Sequence, residues 1–231
     1  MARQLLLLST STVHGTPYLE HARGHILDLL GSARRVAFVP YALKDTAAYA
    51  QKARAAFADM GCTLVSVHER ADPASVLGEV DAVFVGGGNT FRLLKAVREN
   101  GLLEAIRRRV GEGLAYLGAS AGSNLACPTI MTTNDMPIVP VPSFAALGLV
   151  PFQINPHYLD PDPSSKHMGE TRETRIREFH EENETPVVGL REGALLRVTQ
   201  DAVVLRGSAG ARIFRPGEAP VEAAPGDILR L

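Results

Sequence analysis

The chain has 231 residues, 45% of them hydrophobic, and its 24 basic and 25 acidic residues leave a formal net charge of −1. This length is enough to bury one good hydrophobic core, so we expect a single α/β domain over residues 1–231. No block of like charges offers a surface for a phosphate backbone, and nucleic acid is therefore not an expected partner.

The two cysteines, Cys62 and Cys127, lie far apart in the sequence and form neither a metal-binding pair nor a disulfide framework. We expect them to be small buried side chains in a reducing compartment, the cytoplasm. The apolar run LLLL near the N-terminus is too short for the core of a signal peptide or for a membrane span. We therefore expect no membrane partner and interpret this run as a first buried strand.

Short apolar runs of strand length alternate with helix-like stretches in the first half of the chain. The runs cover residues 5–8, 36–39, 63–67, 82–85 and 114–117. Capping residues, Pro and Gly mark helices from residue 16 to 31 and from 45 to 61, and a short one that begins at 72. The alternation predicts an α/β fold with a mainly parallel sheet flanked by helices on both faces.

The pattern changes after Gly122. Residues 128–169 are rich in Pro, Asn, Asp and Ser, with one strand-like stretch at 152–155, and long irregular segments of this kind are often functional loops. A helix is predicted from about residue 171 to 182. Four short strands then follow, and we expect them to form a C-terminal antiparallel meander. Their ranges are 187–190, 194–198, 202–205 and 211–214.

The strongest local motif is GASAG at residues 118–122, which fits G-x-S-x-G and lies between a strand-like run and a helix-compatible stretch. Such a strand-turn-helix context strains the backbone and exposes the hydroxyl of its central serine, here Ser120. The alternative is a glycine-rich turn in which Ser120 only caps the helix.

A second turn, Gly86-Gly87-Gly88-Asn89, follows the strand that ends at residue 85. In a parallel sheet both turns would lie at the carboxyl ends of strands, where active sites of open α/β folds are built. Glycine lets backbone N–H groups approach a ligand and donate to a developing oxyanion. A phosphate-binding loop is excluded because the Lys-Ser/Thr pair is missing. The alternative is a turn that needs glycine only for its backbone conformation.

A nucleophilic serine needs a base, and the base needs an orienting acid. His157 follows the strand-like run and would emerge at a strand end, whereas its rival, His167, lies in the Pro/Ser-rich loop. For the acid, Asp135 competes with Asp160 and Asp162. The alternative for Asp135 is a turn former that bonds its own backbone ahead of a proline.

His21 and His25 are four residues apart on a predicted helix, which is the spacing of a zinc-binding pair. The glutamate of the HExxH motif is absent between them, so we interpret the pair as part of a solvated helix face. We expect no metal site.

Five stretches resemble the peptidase E family of α-aspartyl dipeptidases. They are VGGGNTFRLLK (85–95), GASAGSNLACPTI (118–130), TTNDMPIV (132–139), INPH (154–157) and GETRETRIRE (169–178). The stretches occur in one order, and the resemblance covers nearly the whole chain. It implies a fold similar to class I glutamine amidotransferases, with a serine in place of their elbow cysteine.

The resemblance also implies roles for individual residues. Ser120 would be the nucleophile, His157 the general base and Asp135 the third member of the triad. The N–H groups of Gly88 and Ala121 would form the oxyanion hole. This chemistry needs neither a metal nor an organic cofactor.

For the substrate, the resemblance implies a short peptide with an N-terminal aspartate. Arg172, the arginine of GETR, would pair with the aspartyl carboxylate because a planar guanidinium binds a carboxylate with two bonds. Asn89 is expected to contact the substrate as well, and the protein to be a monomer or a homodimer. Two alternatives remain: a cyanophycinase-like peptidase acting on another aspartate-containing substrate, and a binding protein that has lost catalysis.

Overall fold

The structure, a computed structural model, describes residues 3–162, 164, 166, 168–200 and 202–231. Its strands are β1 (Leu5–Leu8), β2 (Arg35–Val39), β3 (Thr63–Ser66), β4 (Ala82–Val85), β5 (Ala115–Ala119), β6 (Gln153–Pro156), β7 (Val187–Leu190), β8 (Ala194–Val198), β9 (Val203–Gly207), β10 (Ala211–Phe214), β11 (Val221–Ala223) and β12 (Ile228–Leu229). Its α-helices are α1 (Arg23–Leu30), α2 (Thr46–Asp59), α3 (Thr90–Glu99), α4 (Leu102–Gly111), α5 (Ala121–Ala126) and α6 (Arg172–Glu182). Among the residues described, no helix combines the length and the apolarity needed to cross a bilayer.

The larger sheet has eight strands in the order β12-β9-β8-β1-β5-β4-β2-β3. Strands β1 to β5 pair in parallel, and β8, β9 and β12 extend the sheet in antiparallel fashion. The prediction of a mainly parallel sheet is confirmed.

The leucine run of β1 shows why this sheet is covered on both faces. Leu5 and Leu7 belong to one core and Leu6 and Leu8 to another, because successive side chains of a strand point to opposite faces. The first core is completed by α3, α4 and α5 and the second by α1 and α2. A strand buried on both faces has no polar positions, so its sequence is a continuous apolar run.

Short polar side chains cap α2, α3 and α6, whereas α1, α4 and α5 begin without a side-chain cap. Asp45 accepts a hydrogen bond from the Ala48 N–H at 2.9 Å and starts α2 as predicted. The helix predicted from residue 16 begins later, at Arg23. Leu19 has a left-handed backbone (φ 63°), which an α-helix cannot include, and a single 3-10 turn at Glu20–Ala22 separates it from α1.

The smaller sheet has four strands in the order β11-β10-β7-β6, and Ile176 of α6 packs against it. The predicted C-terminal strands are all present, and antiparallel pairs join β8 to β9 and β7 to β10. They do not form one meander, because β8 and β9 belong to the larger sheet. Strand β7 pairs with β6 in parallel, with Pro156 opposite Leu190, so the carboxyl ends of β6 and β7 lie side by side.

Two glycines, Gly118 near the end of β5 and Gly122 at the start of α5, lie too close to other backbone atoms to carry a side chain. A Cβ atom at Gly122 would lie 2.1 Å from the Val85 carbonyl oxygen, and one at Gly118 would lie 2.6 Å from the Gly122 oxygen. The glycines of G-x-S-x-G therefore let α5 start directly against β4 and β5.

We expect Gly122→Ala to destabilise the protein by about 1–3 kcal/mol or more, because the new methyl group must push two backbone segments apart. Urea unfolding of both proteins measures the loss. Gly111→Ala is the matched control, since no atom lies within 4 Å of its Cβ position and its φ is not positive. It should be neutral or raise stability by up to about 1 kcal/mol. Equal effects of the two substitutions would contradict the packing argument.

Candidate active site

A cleft of ≈ 770 Å³ opens where the parallel strands end. Residues that follow the strands line much of it: Thr10 and Ser11 after β1, Leu43 after β2, Gly87 and Gly88 after β4, Ser120 after β5 and His157 after β6. Both turns singled out in the sequence therefore meet at one cleft, as the parallel arrangement predicts.

Ser120 has a strained backbone, with φ 51° and ψ −107°, directly before the first residue of α5. Its N–H donates to the Leu8 carbonyl at 3.0 Å, and its carbonyl accepts from the Ser123 N–H at 2.8 Å. The side chain makes no capping hydrogen bond to α5. Its Oγ instead lies 2.8 Å from Nε2 of His157, so the hydroxyl faces a base rather than the helix.

His157 also has a positive φ, 53°, at the end of β6. Its N–H donates to the Ser9 hydroxyl at 2.9 Å, and that hydroxyl donates to the Leu190 carbonyl at 2.7 Å. Ser9 is fully buried. The backbone of the base is therefore fixed by a polar contact that also holds the end of β7.

The acid beside the base is Glu192, two residues after β7. Its Oε1 lies 2.6 Å from Nδ1 of His157. An ionised carboxylate can only accept a hydrogen bond, so the proton of a neutral imidazole belongs on Nδ1. Nε2 is then free to accept the proton of the Ser120 hydroxyl. Ser120, His157 and Glu192 thus form a continuous hydrogen-bonded chain.

Asp135, expected beside His157, makes other contacts. Its Oδ2 accepts from the Thr90 N–H at 2.8 Å, the Thr90 hydroxyl at 2.6 Å and the Thr133 hydroxyl at 3.1 Å. Thr90 is the first residue of α3, and a helix N-terminus attracts a carboxylate through its free N–H groups. Asp135 still lines the cleft, but the expected hydrogen bond to His157 is replaced by that of Glu192.

The two other candidate acids also have partners outside the triad. Asp160 is held by a two-bond fork from Arg191, at 2.8 Å and 2.7 Å, which lowers the pKa of its carboxyl group. Asp162 accepts from the N–H and hydroxyl of Ser164. Arg191 is the residue before Glu192, and it also donates to Glu222 of β11 at 2.9 Å. Its guanidinium therefore links the segment after His157 to the end of β7.

Sequence reasoning missed Glu192 because it assigned β7 to an antiparallel meander. In that arrangement the end of β7 would point away from the end of β6. The available signal was that both apolar runs are followed by a titratable residue within two positions, His157 and Glu192. Parallel pairing of β6 and β7 brings these two residues together.

Of the two N–H groups expected to form an oxyanion hole, Ala121 follows Ser120 directly and Gly88 lines the same cleft. Among the residues described, neither the Gly88 N–H nor the Ala121 N–H donates to a protein acceptor. Gly88 has φ +136°, and a Cβ there would lie 2.6 Å from the Ala42 carbonyl oxygen. The position therefore requires glycine for its backbone conformation and for space.

Asn89 is used by the protein itself. Its Oδ1 caps α3 by accepting from the Arg92 N–H at 3.0 Å, and its Nδ2 donates to the Met136 carbonyl at 2.9 Å. The amide therefore fixes the segment next to Asp135 at the start of α3. The amide keeps a second N–H and a second lone pair, so the expected contact with substrate stays a prediction.

Arg172 is the first residue of α6 and is half-buried. Burial lowers the pKa of its guanidinium, the neighbouring Arg175 lowers it further, and Asp135 raises it. The group stays charged, because an arginine pKa lies far above neutrality. In the described part of the chain no carboxylate pairs with Arg172, whereas Arg175 pairs with Glu170 and Arg177 with Glu173.

The two histidines with the spacing of a zinc-binding pair belong to different elements. His21 lies in the 3-10 turn and His25 in α1, so they do not share one helix as predicted. Within the described residues no group of three His, Cys, Asp or Glu side chains could hold a metal ion. His167, the rival base, lies outside the residues that the structure describes.

Comparisons with known proteins show the family to which the chain belongs. Residues 5–206 match peptidase family S51. Peptidase E of Streptomyces coelicolor is 60% identical over 225 residues, which cover 97% of this chain and 93% of that protein. A Drosophila melanogaster protein named probable alpha-aspartyl dipeptidase is 49% identical over 227 residues, covering 97% of this chain and 95% of its own.

The fold has a counterpart among solved structures. The crystal structure of a peptidase from an acI-B1 Actinobacterium matches with a TM-score of 0.73 and covers 99% of this chain and 96% of that one. At 15% identity this likeness supports the fold alone. The family match and the two sequence relatives carry the assignment: the chain belongs to peptidase family S51 and is a serine-type peptidase.

Proposed function

We propose that this protein is a dipeptidase that hydrolyses the bond after an N-terminal aspartate in Asp-Xaa dipeptides. The observation that carries the proposal is the hydrogen-bonded chain from Ser120 Oγ through His157 to Glu192, with distances of 2.8 Å and 2.6 Å. The name of the Drosophila relative, probable alpha-aspartyl dipeptidase, supports the substrate class.

In the proposed mechanism, Ser120 Oγ attacks the carbonyl carbon of the aspartyl residue while His157 Nε2 takes the hydroxyl proton. Glu192 holds the Nδ1–H and stabilises the imidazolium that forms. His157 then passes the proton to the leaving amine, and an acyl-enzyme remains on Ser120. A water molecule, deprotonated by His157, attacks this ester and releases aspartate.

The oxyanion formed at each attack would accept hydrogen bonds from the N–H groups of Gly88 and Ala121. Both groups are without a protein acceptor in the described residues, so no existing bond must break when the oxyanion develops. Removing one such donor typically raises the barrier by about 3 kcal/mol. The glycine turn would therefore contribute on the order of a hundredfold to the rate, which is less than the several orders of magnitude expected for the nucleophile.

A cysteine mechanism finds no support at this site. Cys127 is fully buried, and burial raises the pKa of its thiol to about 12. Cys62 is buried as well, and both cysteines are free thiols. Two buried free thiols suit a reducing compartment, and we propose the cytoplasm.

For aspartate selectivity we keep Arg172 as the cation that pairs with the aspartyl carboxylate. Its half-buried guanidinium carries a charge that no carboxylate of the described residues pairs with, and Asp135 of the cleft lies close enough to raise its pKa. We assign Asp135 to the free ammonium of the substrate. Arg172 and Asp135 would then bind opposite charges of the same aspartyl residue.

Two other readings of the scaffold are less well supported. A cyanophycinase-like peptidase would act on a polymer. This chain instead matches a peptidase E and a probable alpha-aspartyl dipeptidase over almost its whole length. A binding protein without catalysis has no need for a strained serine aligned with a base and an acid. We propose a small acidic peptide as substrate and a monomer or homodimer as the working unit.

We expect Ser120→Ala to abolish release of aspartate from Asp-Leu while dipeptide binding and the fold remain. Losing the nucleophile of such a unit typically costs several orders of magnitude in kcat. Chromatography of released aspartate measures turnover, and calorimetry of the variant with Asp-Leu measures binding. Residual activity within about tenfold of the wild type would contradict the assignment of Ser120.

Glu192→Gln and Asp135→Asn separate the two candidate acids. We expect Glu192→Gln to slow the reaction of Ser120 with a neutral fluorophosphonate on the order of a hundred- to ten-thousandfold, because Gln can place an N–H against Nδ1 and select the wrong tautomer. Asp135→Asn should slow the fluorophosphonate reaction far less, since the reagent has no ammonium group. The kcat/KM of this variant for Asp-Leu should nevertheless fall. The opposite order of labelling rates would return the triad role to Asp135.

Arg172→Ala should lower kcat/KM for Asp-Leu, because the aspartyl carboxylate loses its partner in a partly dry cleft. The loss of transition-state stabilisation should be about 2–5 kcal/mol. The ratio of Asp-Leu to Asn-Leu hydrolysis should fall sharply, and Arg172→Lys should restore only part of it. Arg175→Ala on the same helix is the control. An unchanged ratio in Arg172→Ala would mean that another cation, such as Lys166 or Arg175, binds the substrate.

A further inference from the structure

The cleft is lined by two positive charges that the proposed function does not use. Lys44 and Lys52 line it together with Ser120 and His157. The chain has only four lysines, so half of them face this one cavity. Among the residues that the structure describes, Lys95 is the one lysine in an ion pair, with Glu99. The two cleft lysines therefore have no carboxylate partner in that part of the chain.

Helix α2 presents one of these lysines in a defined direction. Asp45, Ala48, Tyr49 and Lys52 all line the cleft, and their spacing of three, four and seven residues places them on one face of a helix. Lys44 directly precedes the capping residue of the same helix. The side of the cleft formed by α2 is thus positive, with Asp45 as its one acidic group.

Lys52 is held in place by an aromatic pair. Its Nζ lies 4.6 Å from the centroid of the Tyr18 ring, a distance at which the ring face attracts a cation. The Tyr18 hydroxyl donates to the Tyr49 hydroxyl at 3.4 Å, and the two rings meet edge to face at 6.3 Å. The ammonium is therefore positioned at the cleft by packing, although the side chain is exposed.

The charges of the cleft match those of a dipeptide. An Asp-Xaa dipeptide carries a side-chain carboxylate, an ammonium group and an α-carboxylate. Arg172 and Asp135 are assigned to the first two, and Lys44 and Lys52 are the cations left for the third. We propose that Lys44 and Lys52 bind the α-carboxylate of the residue after the scissile bond, so that the cleft selects a peptide that ends there. This inference rests on the proposed function.

Peptide length is the property that such a subsite would sense. Each added residue moves the terminal carboxylate up to about 3.3–3.6 Å farther from Ser120 and puts a neutral amide in its former place. Lysine side chains are flexible and can follow part of that shift. The subsite should therefore favour dipeptides by degree rather than exclude longer peptides outright.

The test compares Asp-Leu with Asp-Leu amide, which differ only in the terminal charge. Aspartate is released from both, so one chromatographic assay gives both kcat/KM values. We expect the wild type to prefer the free acid by about tenfold or more, as a hydrogen-bonded charge pair would give. In Lys44→Met/Lys52→Met this preference should fall towards one. Added salt should reduce the wild-type preference, because exposed charges are screened.

Two further variants control the comparison. Lys95→Met removes an exposed lysine outside the cleft and should keep the wild-type preference, and Lys52→Arg keeps the charge and should retain much of it. Thermal unfolding of each variant shows that the fold is intact. Equal kcat/KM values for acid and amide in the wild type, or an unchanged preference in the double variant, would overturn the inference and leave the proposed function standing.

Two other outcomes would also overturn the inference. If the double variant keeps the preference for the free acid but loses the preference for Asp-Leu over Asn-Leu, the lysines bind the aspartyl side chain and the inference is wrong. If the wild type releases no aspartate from Asp-Leu, the proposed function fails, and the inference fails with it.

Discussion

The hydroxyl of Ser9 joins the two sheets of the molecule at the point where the serine meets its base. It accepts from the His157 N–H and donates to the Leu190 carbonyl, so it holds the ends of β6 and β7 against the end of β1. Strand β1 pairs with β5, whose end carries Ser120. Ser120 and the glycine turn thus follow strands of the larger sheet, and His157 and Glu192 follow strands of the smaller one. The geometry of the site depends on how these two sheets meet.

Backbone strain is concentrated at the same place. Among the described residues other than glycine, three have positive φ: Leu19, Ser120 and His157. Two of them, Ser120 and His157, share a hydrogen bond, and Leu19 follows Tyr18, which lines the cleft. Such conformations typically cost about 1–3 kcal/mol each and persist only where surrounding contacts determine them. Here the contacts are the buried hydrogen bonds of the strand ends and the close packing of Gly118 and Gly122.

The sequence predicted those features whose cause is local. A strand buried on both faces must be continuously apolar, so β1 to β5 were recognisable from their residues. The elbow was recognisable because only glycine fits at positions 118 and 122, two residues before and after Ser120. The choice between Asp135 and Glu192 is not local. Glu192 reaches His157 through the parallel pairing of β6 and β7, whereas Asp135 accepts hydrogen bonds at the start of α3. The roles of Asn89 and Arg172 likewise depend on contacts between segments more than 40 residues apart, such as the hydrogen bond from Asn89 to Met136.

Because the site is divided between two sheets, the alignment of its residues can be lost while the fold remains intact. The two sheets share one hydrophobic core, in which Ile154 of β6 packs with Leu5 and Leu7 of β1. The alignment of Ser120 with its partner depends instead on polar contacts at the edge of that core, namely the half-exposed side chain of His157 and the single hydroxyl of Ser9. Local opening of a protein begins where few buried contacts resist it. A chain whose sheets have slipped slightly apart would retain its circular dichroism spectrum while Ser120 has lost its base. For this enzyme, inactivation is a more sensitive measure of sheet-to-sheet docking than any spectroscopic measure of secondary structure.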